Sequence, residues 1–315
     1  MMTRSEVAAW LLERDGYCIA SHCKPDGDTI GSTAALCLGL RKLGKTAYVL
    51  ENSQLSGHLS FLHEGLSKPE AEAGDILISV DTASRDRVQG VVNDPIALRI
   101  DHHATAVGYT ELELVDPTAA ACGEIIYDIL MEMGVSMDEE LAKALYVAIS
   151  TDTGCFRFAN TTAKTYSVAA ACAATGVNLY PITQMLFDTN SLTKLRIQSW
   201  IVGNTRFFEQ GKLALCAMPR QVEEGATSDD TENLSGFLRS IDGVRLCVLL
   251  RESEDGAIRL SARSVPGYDA SGLCRKFGGG GHKGAAGATL HMSLSEAEAA
   301  VEKLLPQLYG AGEGT

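Results

Sequence analysis

The stretch "YCIASHCKPDGDTIGSTAALCLGLRKLGKTAYVL", residues 17–50, reads as strand, loop, helix, strand. "YCIASH" (17–22) and "TAYVL" (46–50) are short apolar runs ending at polar or glycine-containing sequence, as buried strands do. Between them "TIGSTAALCLGLRKLGK" repeats apolar residues at helical spacing and stops at Gly44, a glycine suited to a helix C-cap. Strand, helix, strand is the signature of a parallel sheet. "DILISVD" (75–81) and "LRIDHH" (98–103) read as two more of its strands.

Downstream, "TAAACGEIIYDILMEMG", "DEELAKALYVAIS" and "AKTYSVAAACAATG" carry helical apolar faces, and "SLTKLRIQSWIVGN" adds one more helix. The pattern then changes. "TRFFEQGKLALCAM", "VRLCVLLRES" and "AIRLSARS" alternate or run apolar like antiparallel strands, with "EQG" and "EDG" as turn signals. The expected fold is α/β: an N-terminal parallel-sheet domain with flanking helices over 1–187, a linker helix over 188–205, and a smaller α/β domain with a mixed or antiparallel sheet over 206–315. No repeat of fixed period interrupts this order.

Composition narrows the function. Of 315 residues, 45% are hydrophobic and 21% charged, the balance of a folded globular chain, with only the "GAGEGT" tail expected to lack order. A formal net charge of −13 argues against a broad basic surface gripping long nucleic acid, though not against a short anionic ligand held through metals. No apolar run is long enough to span a membrane, and the N-terminus lacks the apolar core of a signal peptide. Nine scattered cysteines with no CxxC pair read as buried thiols of a reducing cytoplasm.

The chemistry lies at the strand ends, where open parallel sheets bind ligands. His22, Asp26 and Asp28 follow the first strand; Asp81 ends the third; Asp101, His102 and His103 end the fourth; Asp152 sits where a helix stops. Each piece alone has an ordinary reading. "PDGD" is a turn former, and an aspartate at a strand end can cap a helix. Their conjunction, in order and at matching ends, is what defeats those readings. Clustered carboxylates repel unless cations lie between them. Asp26, Asp28, Asp81 and Asp152 balance the charge of two divalent cations, with His22 and one histidine of the DHH as neutral ligands. Mixed oxygen and nitrogen donors favour Mn²⁺ first and Mg²⁺ second. Two such ions about 3.5–4 Å apart can share a carboxylate and a hydroxide for phosphate displacement.

A second signal is "KFGGGGHKGAAG" (276–287). Its glycines, including Gly279, Gly280 and Gly281, can bring backbone N–H groups close to a phosphate. It lacks the spacing of a P-loop and the position of a dinucleotide fingerprint. Arg263, in "SARS", stands at a predicted strand end where a guanidinium can clamp phosphate.

Together these segments resemble the DHH/DHHA1 phosphoesterases, and within them the small two-domain nano-RNase and pAp (3'-phosphoadenosine 5'-phosphate) phosphatases. The matching motifs are "SHCKPDGD", "VDTAS", "DHH", "STDTGCFRF" and "FGGGGHKGAAG", spread over nearly the whole chain. The resemblance implies that His22, Asp26 and Asp81 hold one metal and that Asp28, Asp81, His102 and Asp152 hold the other, with Asp81 bridging. It implies that His103 meets the scissile phosphate or protonates the leaving oxygen, and that Asp101 orients an imidazole. Arg263, Ser264 and His282 would grip the substrate, joined by Arg157 and Asn160, with the site in a cleft between domains. Thr29 stands where the resemblance leads one to expect a small residue such as alanine.

The expected activity is hydrolysis of very short RNA oligonucleotides and of the 3'-phosphate of pAp by a bridging hydroxide. The expected partners are short RNA and small nucleotides, with no long duplex and no membrane; a homodimer is left open. Rival readings are a cyclic di-AMP or pApA phosphodiesterase using the same centre, a pyrophosphatase, and a nucleotide-binding module without catalysis.

Overall fold

In the computed structural model, which describes residues 1–91, 94–103 and 108–309, the chain forms two compact units, Met1–Thr189 and Asn190–Thr315. The "GAGEGT" tail lies outside the described residues.

The first unit contains α1 (Arg4–Leu12), β1 (Tyr17–Ala20), α2 (Gly27–Lys42), β2 (Ala47–Leu50), β3 (Ser67–Lys68), β4 (Ile76–Val80), β5 (Leu98–Asp101), β6 (Leu112–Val115), α3 (Cys122–Glu132), α4 (Glu139–Asp152), α5 (Ala163–Ala174) and α6 (Tyr180–Thr183). Among the described residues its sheet has six strands in the order β3-β2-β1-β4-β5-β6, and every pairing is parallel. The parallel sheet expected from residues 17–50 is therefore present. The chain builds outward from β1 in one direction and then from β4 in the other. Their shared edge is a topological switch point, where the loops leaving the two strands diverge and open a crevice.

Helix α2 explains why that crevice is rigid. It starts at Asp26, whose carboxylate accepts from Thr29 N–H, and it is buried continuously from Gly27 to Cys37. Alanines and glycines let α4 approach closely. A Cβ on Gly31 would lie 2.4 Å from Ala144 O and 2.8 Å from Ala148 N, and one on Gly27 would lie 2.3 Å from Thr151. The start of α2 and the end of α4 are thus packed backbone to backbone, which carries Asp28 toward Asp152.

His63 has no neighbouring carboxylate motif and so reads from the sequence as a histidine on a helical or loop surface, yet it is buried. Its Nε2 lies 3.0 Å from Thr33 Oγ1 and 3.2 Å from Ile30 O, and burial pushes its pKa down to about 4. Nothing in the local pattern marks this long-range contact with α2.

The second unit contains α7 (Leu192–Asn204), β7 (Arg206–Phe208), β8 (Leu213–Met218), α8 (Ser228–Thr231), α9 (Leu234–Arg239), β9 (Leu246–Glu252), β10 (Ile258–Ser264), α10 (Ala270–Arg275), β11 (Gly280–His282), β12 (Ala285–Leu290) and α11 (Leu294–Tyr309). Its sheet runs β11-β12-β10-β9-β8-β7. Strands β8 and β9 pair in parallel because α8 and α9 form the crossover between them; the other pairings are antiparallel, so the sheet is mixed. Alternation along β8 sends Leu213 and Leu215 to a core shared with Ala297, Val301 and Leu305 of α11. Ala214 and Cys216 go to a core shared with Ile197 and Ile201 of α7. Helix α7, read as a linker, packs by that face into this unit.

Candidate metal centre

Loops leaving β1, β4 and β5, together with the end of α4, deliver the acidic and imidazole groups to one place. His22 leaves β1 buried; its Nδ1 lies 2.9 Å from Cys23 O, so its Nε2 is the nitrogen turned to the cluster. That Nε2 is 3.8 Å from Asp26 Oδ1 and 3.8 Å from Asp81 Oδ2. His102 is fixed in the same manner, with Nδ1 3.2 Å from Ala119 O. Its Nε2 lies 3.7 Å from Asp28 Oδ2, 3.5 Å from Asp81 Oδ1 and 3.3 Å from Asp152 Oδ2. One ligand atom from each of His22, Asp26 and Asp81 falls within 4.8 Å of the others, and so does one from each of Asp28, His102 and Asp152. Asp81, His102 and His103 form a third such group, so Asp81 belongs to both sides.

Asp81 follows β4 with φ of +55°, a left-handed backbone that an aspartate tolerates better than most residues. The conformation turns its side chain into the crevice, where Oδ1 is buried without a hydrogen-bond partner. Lys24, Cys155 and Phe156 also have positive φ, so the loops on both sides of the crevice carry strain.

Three of these carboxyls resist ionisation. Burial raises Asp81 well above the usual carboxylate range, and the neighbouring Asp28 and Asp26 charges add to it. Asp152 is pushed up to about 9 by burial and by the same two neighbours. Asp28 is raised by burial even though it accepts from Cys122 N–H, Gly123 N–H and Ser32 Oγ at 2.6, 3.0 and 2.9 Å. Those three bonds make Asp28 the cap of α3 as well, with lone pairs still available toward His102. An unpartnered buried oxygen among mutually repelling acids fits a site completed by cations, and the oxygen-rich donor set suits hard divalent ions.

Asp101 does a different job. Completely buried, it pairs with Arg99 through Oδ2, while its Oδ1 lies 2.7 Å from His103 Nδ1 and accepts from the His102 and His103 N–H groups. Burial alone would raise its pKa; the bonds from His103 and Arg99 win and hold it near about 2. In return the bond to Asp101 raises the pKa of His103. Sequence reasoning missed Arg99. It is fully buried in β5, lies 3.5 Å from Glu113 Oε1 and stacks 4.7 Å from the Tyr109 ring centroid. An arginine inside an apolar strand flanked by aspartate was the available signal.

The remaining expected residues are placed as follows. Asn160 Nδ2 donates to Ala120 O and Asp152 O, bracing the end of α4. Arg157 is exposed, with Nε donating to Gly154 O at 2.6 Å. In the second unit Gly280, Gly281 and His282 form the exposed edge strand β11, and Gly279 precedes it with no room for a Cβ beside Gly287 O. Arg263 pairs with Ala285 in the next strand but one, half-buried. Ser264 is buried, donating to Lys283 O at 2.7 Å, and so ties β10 to the loop before β12.

The sequence model for the DHH family, N-terminal domain, matches residues 17–149, and that for the DHHA1 domain matches residues 211–308. The bifunctional oligoribonuclease and PAP phosphatase NrnA of Thermus thermophilus is 35% identical over 300 residues, covering 93% of this chain and 90% of that protein. The protein of the same name from Bacillus subtilis is 31% identical over 292 residues, covering 90% and 92%. In fold, the chain superposes on an exopolyphosphatase-related protein from Bacteroides fragilis with a TM-score of 0.83 at 24% identity, covering 97% of both. With both domains in order and relatives of this similarity along nearly its whole length, the chain belongs to the DHH/DHHA1 family.

Proposed function

We propose that this protein is a metal-dependent phosphoesterase that hydrolyses very short RNA oligonucleotides and removes the 3'-phosphate of pAp. The observation that carries the reading is the buried, unpartnered Asp81 Oδ1 at the meeting point of two imidazole–carboxylate groups. The named activity of relatives covering nine-tenths of both chains supports the substrate class. Residues 1–187 act as the catalytic domain, 188–205 as the linker helix and 206–315 as the substrate-binding domain.

His22, Asp26 and Asp81 would hold one divalent cation and Asp28, Asp81, His102 and Asp152 the other, Mn²⁺ before Mg²⁺. When bound, the pair supplies water activation and stabilises charge developing on phosphoryl oxygens. Around it the chain's own groups set the geometry. Asp101 holds the His103 ring through Nδ1 and favours its protonated form, leaving Nε2 to meet the substrate. Water adds to phosphorus and releases a proton to solvent, the ester P–O bond breaks, and His103 gives its proton to the leaving oxygen and regains one from solvent. Arg263, His282 and the amides of Gly280 and Gly281 offset the substrate's negative charge, assisted by Arg157, while Gly279, whose N–H donates to Cys274 O, shapes the turn before them and Asn160 and Ser264 brace the segments that carry these groups.

A net charge of −13 supports short substrates over long duplexes. No described helix is long and apolar enough to cross a membrane, which is compatible with a cytoplasmic enzyme. The test is a substrate panel on purified protein: pAp, a diribonucleotide, a longer RNA, cyclic di-AMP and pyrophosphate, each with Mn²⁺ and with EDTA. Turnover of the first two, only with Mn²⁺, is expected. Preference for cyclic di-AMP or pyrophosphate would replace the substrate assignment.

A further inference from the structure

Thr29 puts a hydroxyl where the resemblance leads one to expect a small residue such as alanine, and the structure gives that hydroxyl a partner. Thr29 is fully buried in the first turn of α2, and its Oγ1 donates to Asp81 Oδ2 at 2.5 Å. This is the Asp81 side chain's hydrogen bond among the described residues; Oδ1, the other oxygen, has none. The two oxygens face different neighbours. Oδ2 lies 3.8 Å from His22 Nε2, whereas Oδ1 lies 3.5 Å from His102 Nε2 and 3.6 Å from His103 Nδ1.

An aspartate's terminal torsion is broad and two-fold, so the backbone of Asp81 alone does not fix which way its oxygens point. The threonine that would fix it is itself well fixed. It is β-branched within a helix, its N–H is capped by Asp26 at 3.1 Å, and its carbonyl accepts from Thr33 Oγ1 at 2.8 Å. A carboxylate oxygen that accepts one hydrogen bond keeps a second lone pair, so the contact leaves Oδ2 able to bind a cation on the His22 side.

We propose that Thr29 is a positioning residue of this chain, its hydroxyl locking the Asp81 carboxylate so that each oxygen addresses one of two adjacent divalent cations. The inference rests on the metal centre proposed above and adds to it a residue outside the ligand set. Removing an orienting partner of a metal ligand typically weakens binding about 10–100-fold. The lower end is expected here, because Asp81 would keep its backbone placement.

The experiment compares the full-length wild type with Thr29→Ser, Thr29→Val and Thr29→Ala. Mn²⁺ binding is titrated calorimetrically, and the spin coupling of bound Mn²⁺ is read by electron paramagnetic resonance. Unfolding in EDTA checks that each variant is folded. Thr29→Ser should bind two Mn²⁺ with wild-type affinity and spectrum. Thr29→Val, equal in shape but without the donor, should bind the pair about tenfold more weakly and show more of the six-line signal of isolated Mn²⁺. Thr29→Ala should do the same, and serves if valine disturbs folding. Coupled, wild-type-like binding in the valine or alanine variant would overturn the inference while leaving the metal centre intact. A wild type that binds no Mn²⁺ pair would overturn both.

Discussion

Replacing Gly31 with alanine tests whether the crevice is set by the contact of two helix backbones. The new Cβ would sit 2.4 Å from Ala144 O and 2.8 Å from Ala148 N, which are partners in one helical hydrogen bond of α4. Ordinary contact begins near 3.4 Å, so α2 and α4 must separate by about 3.4 − 2.4 = 1.0 Å, and neither backbone atom can rotate aside. Alanine gains about 1 kcal/mol over glycine in helix propensity. Overpacking against fixed atoms costs about 3 kcal/mol, the upper part of its usual range. The net loss is about 2 kcal/mol, or a Tm lower by about 4–8 °C for a unit of this size. Gly39→Ala is the internal control. The three atoms nearest its Cβ would be Cδ2, Cδ1 and Cγ of Leu130 at 2.3, 2.9 and 3.1 Å, the outer part of a side chain that gives way more easily than backbone, and its stability should stay within about 1 kcal/mol of wild type. Both are measured by urea and thermal unfolding in EDTA, followed by Mn²⁺ titration. Gly31→Ala should also bind Mn²⁺ more weakly, because Asp28 rides on α2 and Asp152 on α4. A Gly31→Ala protein as stable as wild type would refute the close-packed geometry.

Other consequences follow from buried charge and its partners. His63 is neutral in the fold, with a pKa near about 4 against 6.5 when unfolded, so its contribution is complete above pH 6.5 and is lost as pH falls toward 4. By pH 4.5 this amounts to about 2–3 kcal/mol, so the stability difference between wild type and His63→Gln should shift by that amount between pH 7.5 and 4.5. A parallel pH dependence in the two proteins would exclude His63 as a source. Arg99→Met leaves Asp101 buried without its guanidinium and should cost about 3–5 kcal/mol, read by urea unfolding. If Arg99→Met unfolds at the wild-type midpoint, the pair is not what holds Asp101 ionised behind His103.

What was legible in the sequence was what repeats or clusters locally. Four short apolar runs gave the strands at the centre of the parallel sheet, and their polar ends gave His22, Asp81 and the DHH. The edge strands β3 and β6 were not legible: β3 has two residues, and "LELV" is only partly buried, so neither forms a strong apolar run. Contacts made across the fold left no local trace either. His63 meets Thr33 and Ile30 from some thirty residues away, and Arg99 meets Glu113 and Tyr109 beyond the end of its own strand. The parallel β8–β9 pair was hidden because alternation marks a half-buried face and says nothing of strand direction. Thr29 was visible as a departure from the resemblance, but its meaning needed the 2.5 Å contact with Asp81.

That Asp81 joins two cation sites is tested most directly by the number of Mn²⁺ ions bound per chain by wild type and by Asp81→Ala, with pAp turnover followed in the same samples. Two Mn²⁺ per wild-type chain, loss of the pair in Asp81→Ala and loss of phosphate release with it are predicted. A full complement of Mn²⁺ or undiminished turnover in Asp81→Ala would contradict the bridged centre.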